Sequence, residues 1–255
     1  MDTLSVILIT YNEEKHIGKC LDSIMSVADE IIIVDSFSND ATIDICKHYP
    51  TKVIQNKFCD FSSQRNLAMS LASKSYLLFI DADEVLSKEL AAEISKFKNE
   101  GFEKEVYSIN RLTSFCGKWI KHGMWYPDKI QRLIKQGVAN WIGEVHEKLN
   151  FTIPASKGFI KGHLLHYSYD SVGQLVEKLE KYTSIQSKQM FKENKKATWI
   201  KIYINPVWAF FSGYFLKLGF LDGWQGIIIQ YSIAFQTKRK YIKLKKLYVS
   251  QKGNI

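Results

Sequence analysis

Four short apolar runs, separated by helix-like segments within the first eighty residues, constrain this chain more than any other feature: Leu4–Thr10, Glu30–Val34, Lys52–Gln55 and Tyr76–Ile80. Leu4–Thr10 is nearly continuous in apolar residues, as a strand buried on both faces of a parallel sheet must be. Between the runs, Ile17, Leu21 and Ile24 share a helical face. Ala41–Tyr49 fits a helix that Asn39 or Asp40 can cap, and Ser63–Ser73 places Leu67 and Leu71 at i, i+4. Strand–helix alternation predicts a parallel sheet with right-handed crossovers, whose ligands bind beyond the carboxyl ends of the strands.

Three polar clusters fall at those ends: Tyr11-Asn12-Glu13-Glu14, Asp35 to Asp40, and Asp81-Ala82-Asp83-Glu84. In a pleated backbone Asp81 and Asp83 point the same way. Two hard carboxylates converging on one point suit Mg²⁺ or Mn²⁺, whose remaining positions are often filled by substrate phosphates. The plain alternative is a solvated strand end opening a helix, where acids are also favoured. Only Gly18 precedes Gly101, so neither common glycine-rich phosphate loop can be written here. A nucleotide must be held by side chains and a metal. Asp35 can accept from a base imide, Tyr11 can cover a base or ribose, and Arg65 can approach a phosphate.

Taken together, Ser5–Glu14, Ile31–Thr42, Gln64–Ala68 and Phe79–Glu84 resemble the motifs of family 2 glycosyltransferases. Gly143-Glu-Val-His-Glu147 and Gly219-Phe-Leu-Asp-Gly223 are most similar to bacterial lipopolysaccharide-core β-glucosyltransferases. The resemblance implies a GT-A fold: an α/β, Rossmann-like, mostly parallel sheet flanked by helices. It implies an inverting enzyme using a UDP-sugar and Mn²⁺ or Mg²⁺. It places Thr10, Tyr11, Asn12, Glu13 and Asp35 on the uridine, Arg65 near the diphosphate and Asp83 on the metal; Asp81 and Ala82 are expected to contact the substrate, with Asp81 also a candidate metal ligand. The implied division is a transferase domain over 1–170, with a donor half 1–90 and an acceptor half 91–170, followed by a helical extension over 171–255.

Single-displacement inversion needs one general base, and it should lie in the acceptor half. Asp128, Glu144, His146 and Glu147 are the polar candidates. Residues 141–147 alternate as a strand would, which sends His146 and Glu147 to opposite sides. Glu147 is the preferred base, with His146 orienting it or contacting metal or phosphate. His122, His163 and His166 read as structural or rim residues.

The net charge of +9 is uneven: residues 1–100 carry 10 Lys+Arg and 16 Asp+Glu, residues 101–255 carry 25 and 10. The basic half therefore favours an anionic partner. Over 171–192, Leu175, Leu179 and Tyr182 have helical spacing. Residues 199–220 are aromatic-rich but are interrupted by Lys201, Asn205, Pro206 and Lys217, which leaves no run long enough to span a bilayer. They read as interfacial, and the tail Lys238-Arg-Lys240, Lys243, Lys245-Lys246 suits an anionic membrane surface. No nucleic-acid motif accompanies it, so nucleic acid is not an expected partner. Four cysteines without metal spacing read as reduced thiols, and the chain opens without a basic leader. The expected setting is cytoplasmic, peripheral on the inner membrane face, with a glycolipid or oligosaccharide acceptor.

Other classes fit less well. Another surface polysaccharide or a polyprenyl-phosphate is an alternative acceptor. A haloacid-dehalogenase-like phosphatase shares the Asp-x-Asp motif, but there it opens the domain and a Gly-Asp motif follows, and this chain has no Gly-Asp dipeptide.

Overall fold

The computed structural model describes residues 2–143 and 147–253. The strands are β1 (Leu4–Thr10), β2 (Glu30–Asp35), β3 (Lys52–Gln55), β4 (Tyr76–Asp81), β5 (Glu84–Leu86), β6 (Val106–Phe115), β7 (Lys118–Trp119), β8 (Asp128–Lys135), β9 (Ala139–Ile142), β10 (Lys148–Phe151) and β11 (Lys157–Tyr169). The helices are α1 (Ile17–Ile24), α2 (Thr42–Cys46), α3 (Phe61–Ser70), α4 (Lys88–Glu100), α5 (Val172–Lys192), α6 (Trp199–Phe211) and α7 (Gly223–Gly253).

The main sheet runs β3-β2-β1-β4-β8-β6-β11-β5, with β7 paired to β6. Its first four strands are parallel, as the alternation predicts. From β8 onward the pairings with β4, β6 and β5 are antiparallel, so the sheet is mixed. β1 lies between β2 and β4, with Ile7 beside Ile32 and Phe79. Alternate residues then feed opposite cores. Val6, Leu8, Ile33 and Leu78 pack with Ile17, Leu21 and Ile24 of α1, whereas Ile7, Ile32, Leu77 and Phe79 pack with Ala68 of α3. Truncating a buried aromatic such as Phe79 would cost about 3–5 kcal/mol.

Three element boundaries differ from the sequence reading. α2 spans Thr42–Cys46 only; beyond it His48 N and Tyr49 N donate three residues back, to Ile45 O and Cys46 O, ahead of Pro50, which disfavours helix at Tyr49. Asp40 Oδ1 accepts from Thr42 N at 3.0 Å at its start. α3 begins at Phe61 because Asp60 caps it, its side chain accepting from Ser63 N at 2.8 Å. The strand expected over 141–147 stops at Ile142, whose antiparallel partner is Lys148. Glu147 therefore precedes β10 instead of extending β9.

Two compact units emerge, Met1–Leu112 with Asp128–Tyr167, and Thr113–Pro127 with Ser168–Ile255. The second differs from the expected boundary at 170 by taking in 113–127, because Phe115 and Ile120 are buried with Leu175, Leu179 and Ile229. On α5 the buried face carries Leu175, Leu179 and Thr183, whereas Tyr182 is 38% exposed. Buried Asp222 accepts from Lys121 N and His122 N, the latter at 2.8 Å. The basic tail is no loose appendage. It continues α7, where Leu244 is fully buried and Lys243 donates to Thr183 and Ser184 of α5. Among the described residues no helix is long and apolar enough to cross a membrane.

Candidate active site

The loops after β1 and β2 are laced together at the carboxyl edge of the sheet. Thr10 pairs in register with Asp35. Asp35 is fully buried and accepts from Ser38 Oγ and, at 2.9 Å, from Ser38 N. Asn12 has a positive φ of 54°, which asparagine tolerates better than most residues. Its N donates to Ser38 Oγ and its Oδ1 accepts from Asn39 N, both at 2.9 Å. Glu13 N donates to Thr42 Oγ1 at 2.7 Å. Thr10 Oγ1 is buried with no hydrogen-bond partner among the described residues. Tyr11, by contrast, is 57% exposed. The five residues expected around the uridine thus share one edge, where Asp35 is a buried carboxylate held by Ser38 and Tyr11 an exposed ring.

α3 joins three neighbouring elements through consecutive residues. Gln64 donates to Ser36 Oγ at 3.0 Å. Asn66 brackets Trp141, donating to its carbonyl at 2.8 Å and accepting from its N at 2.9 Å. Arg65, between them, lies 4.7 Å from the Trp141 ring and forms two ion pairs of 2.7 Å, to Asp81 Oδ1 and to Glu147 Oε1. Stacking on an aromatic face and forked donation are both guanidinium properties.

Asp81 meets a second guanidinium, Arg132 of β8, at 2.7 Å. Arg132 also reaches the fully buried Glu84 at 2.9 Å. Burial alone would raise the Asp81 pKa, but Arg132 and Arg65 outweigh it and hold the carboxyl well below the usual carboxylate range. For Glu84 burial dominates and Asp81 adds to it, so its pKa is raised despite Arg132. Arg111 completes the cluster, 3.5 Å from Glu84 and 2.8 Å from Asp128.

Asp81 and Asp83 take different partners: β4 ends at Asp81, and the chain turns through Ala82, which is buried in the core, and Asp83. Asp83 Oδ2 instead lies 3.2 Å from His166 Nε2 of β11, and Asp83 O accepts from Tyr167 N at 2.9 Å. Asp83 supplies the hard carboxylate that suits Mn²⁺ or Mg²⁺ when phosphate oxygens and water complete the shell, whereas the imidazole beside it is a softer donor, better matched to later transition metals. Among the described residues no group of three such side chains forms a metal site. His166, read from sequence as a structural or rim residue, is in contact with the candidate metal ligand Asp83. Arg132, which the sequence reading did not single out, is in contact with Asp81; it stands beside Gln131 between Ile130 and Leu133. Glu144 and His146 lie outside the described residues.

Comparison with known proteins supports the same reading. The family model described as "Glycosyl transferase family 2" matches residues 5–146. A protein of Rickettsia felis, described as an uncharacterized glycosyltransferase, is 30% identical over all of this chain and 94% of its own. The lipopolysaccharide core biosynthesis glycosyltransferase LpsC of Rhizobium meliloti is 27% identical over 86% of this chain and 82% of its own. The fold resembles that of S. aureus TarS 1-349, solved in complex with UDP, with a TM-score of 0.51 at 16% identity, over 97% of this chain and 92% of that one.

Proposed function

The chain belongs to glycosyl transferase family 2, and from that premise we propose that it transfers glucose from UDP-glucose, with inversion, to a saccharide of the lipopolysaccharide-core type. The observation that carries the reading is the double engagement of Arg65, which ties Asp81 of the donor half to Glu147 of the acceptor half. In the proposed reaction the acceptor hydroxyl attacks the anomeric carbon opposite the diphosphate. Glu147 takes the hydroxyl proton as the new C–O bond forms, and the bond to the diphosphate breaks, releasing UDP. Glu147 can act only when free, so Arg65 exchanges it for the incoming diphosphate. Asp81 keeps Arg65 in place throughout. Asp83 and His166 would hold a divalent cation, which when bound offsets the charge of the departing diphosphate.

LpsC, a core-biosynthesis enzyme by its name, supports the acceptor class, and a UDP complex of a protein with this fold supports the donor. Peripheral association with an anionic membrane fits the same acceptor: Trp199, Val207 and Trp208 of α6 are 60% or more exposed, and basic α7 lies in the same unit. A panel of nucleotide sugars with Mn²⁺ or Mg²⁺, scored for hydrolysis and for transfer to truncated lipopolysaccharide core, tests it. Turnover confined to UDP-glucose is the expected result; turnover with another nucleotide or sugar overturns the donor assignment.

A further inference from the structure

Helices α5, α6 and α7 line two adjoining grooves. One, of about 690 Å³, lies between α6 and α7, with Ile202 and Pro206 on one wall and Ala234 and Ile242 on the other. The second, of about 640 Å³, lies between α5 and α7 and is lined by Leu175, Val176, Leu179 and Ile227. Phe210, Tyr231 and Phe235 line both, so the two form a continuous apolar path. Each is within the size range of small-ligand sites.

The chemistry of the path changes along α7. Residues 223–236 carry no charge, whereas 238–252 carry seven Lys or Arg and no acid. Lys238 and Arg239 line the first groove between Phe235 and Ile242 of α7. Glu180 pairs with Arg239 at 3.4 Å and with Lys243 at 2.6 Å. Lys238 instead lies 5.9 Å from the Tyr203 ring, and none of the ion pairs among the described residues joins it to a carboxylate. In the second groove, Ser232 spends its hydroxyl on Ile229 O at 2.7 Å. That lining penalises a ligand with polar groups to satisfy and suits methylenes.

We propose that these grooves bind one hydrocarbon chain of an anionic phospholipid, with its phosphate at Lys238 and Arg239. The order of surfaces along α7, apolar and then cationic, matches that of a tail and its headgroup. The inference takes its lipid from the membrane reading above but assigns a defined chain site, where that reading needs only adsorption.

Filling the groove separates the two. Full-length protein is sedimented with vesicles of phosphatidylcholine alone or mixed with phosphatidylglycerol, and insertion is followed by quenching of tryptophan with bromine-labelled chains. Wild type should favour the mixed vesicles. Ala234→Trp should weaken that binding about tenfold, while circular dichroism and UDP affinity stay unchanged. Val176→Trp, at a position 56% exposed and therefore tolerant, should do the same if Ala234→Trp fails to fold. Simple adsorption predicts the reverse, because each variant adds apolar surface. Equal or tighter binding would overturn the chain site and leave the membrane reading standing. Failure of wild type to bind either vesicle would overturn both. Lipid-independent self-association abolished by the same substitutions would give the grooves to a second copy of the chain.

Discussion

Arg65 Nη1 and Glu147 Oε1 lie 2.7 Å apart, so the preferred base rests in an ion pair with the residue assigned to the diphosphate. Glu147→Gln keeps the shape and removes both basicity and charge. Transfer should fall ~10²–10⁴-fold, the usual worth of general-base help. UDP should bind at least as tightly, because the carboxylate competing for Arg65 has gone. Single-turnover kinetics and UDP calorimetry check the two halves. If Glu147→Gln turns over normally and Glu144→Gln does not, the base is the other glutamate.

Asp83 and His166 make the second prediction. Asp83→Ala and His166→Ala should each lose most transfer and weaken Mn²⁺ binding, read directly by calorimetry in the presence of UDP. EDTA should inactivate wild type and Mn²⁺ restore it. Full activity in EDTA would rule out a required metal, and unchanged Mn²⁺ affinity in His166→Ala would return that histidine to the rim.

A third concerns Asp35. Its buried carboxylate accepts from Ser38, so Asp35→Ala should raise the donor KM more than it lowers kcat, as loss of uniform binding does. Calorimetry with UDP decides it; unchanged affinity in both Asp35→Ala and Tyr11→Ala would move the base pocket elsewhere.

What was legible in the sequence is what is local. β1, β2, β3 and β4 show their strand character in runs of consecutive residues, and the parallel order follows from the helices between them. Asp35 and Asp83 stand out as candidates because they close or follow such runs, whereas Arg65, inside α3, stands out only by the phosphate-binding chemistry of its side chain. The antiparallel half was not legible, since β8, β6, β11 and β5 are joined by pairings distant in sequence. The same holds for Arg132 and Asp81, 51 positions apart, and for His166 and Asp83. The alternation argument for Asp81 and Asp83 requires the strand to continue, and β4 stops at Asp81, so strand geometry does not set the direction of Asp83.

Asp81 carries the last prediction. It is 29% exposed, while its partners Arg65 and Arg132 are 6% exposed. Asp81→Asn would leave two buried guanidiniums short of a counter-charge. Breaking a buried pair costs about 3–5 kcal/mol, and partial exposure of Asp81 places the loss near the lower figure. The pH dependence has a definite sign. The folded-state pKa of Asp81 is depressed, so the unfolded chain takes up this proton first, and the stabilisation is complete above the unfolded carboxylate pKa of ~3.9. It is lost as pH falls below that value. Glu84 has the opposite sign, because burial raises its pKa and protonation then favours the folded state. Urea unfolding of wild type and Asp81→Asn from neutral to acidic pH should therefore show a gap that is widest at neutrality and narrows below about pH 4. A gap that stays constant would mean that Asp81 contributes packing alone, and that Arg65 owes its position to Trp141 and Glu147.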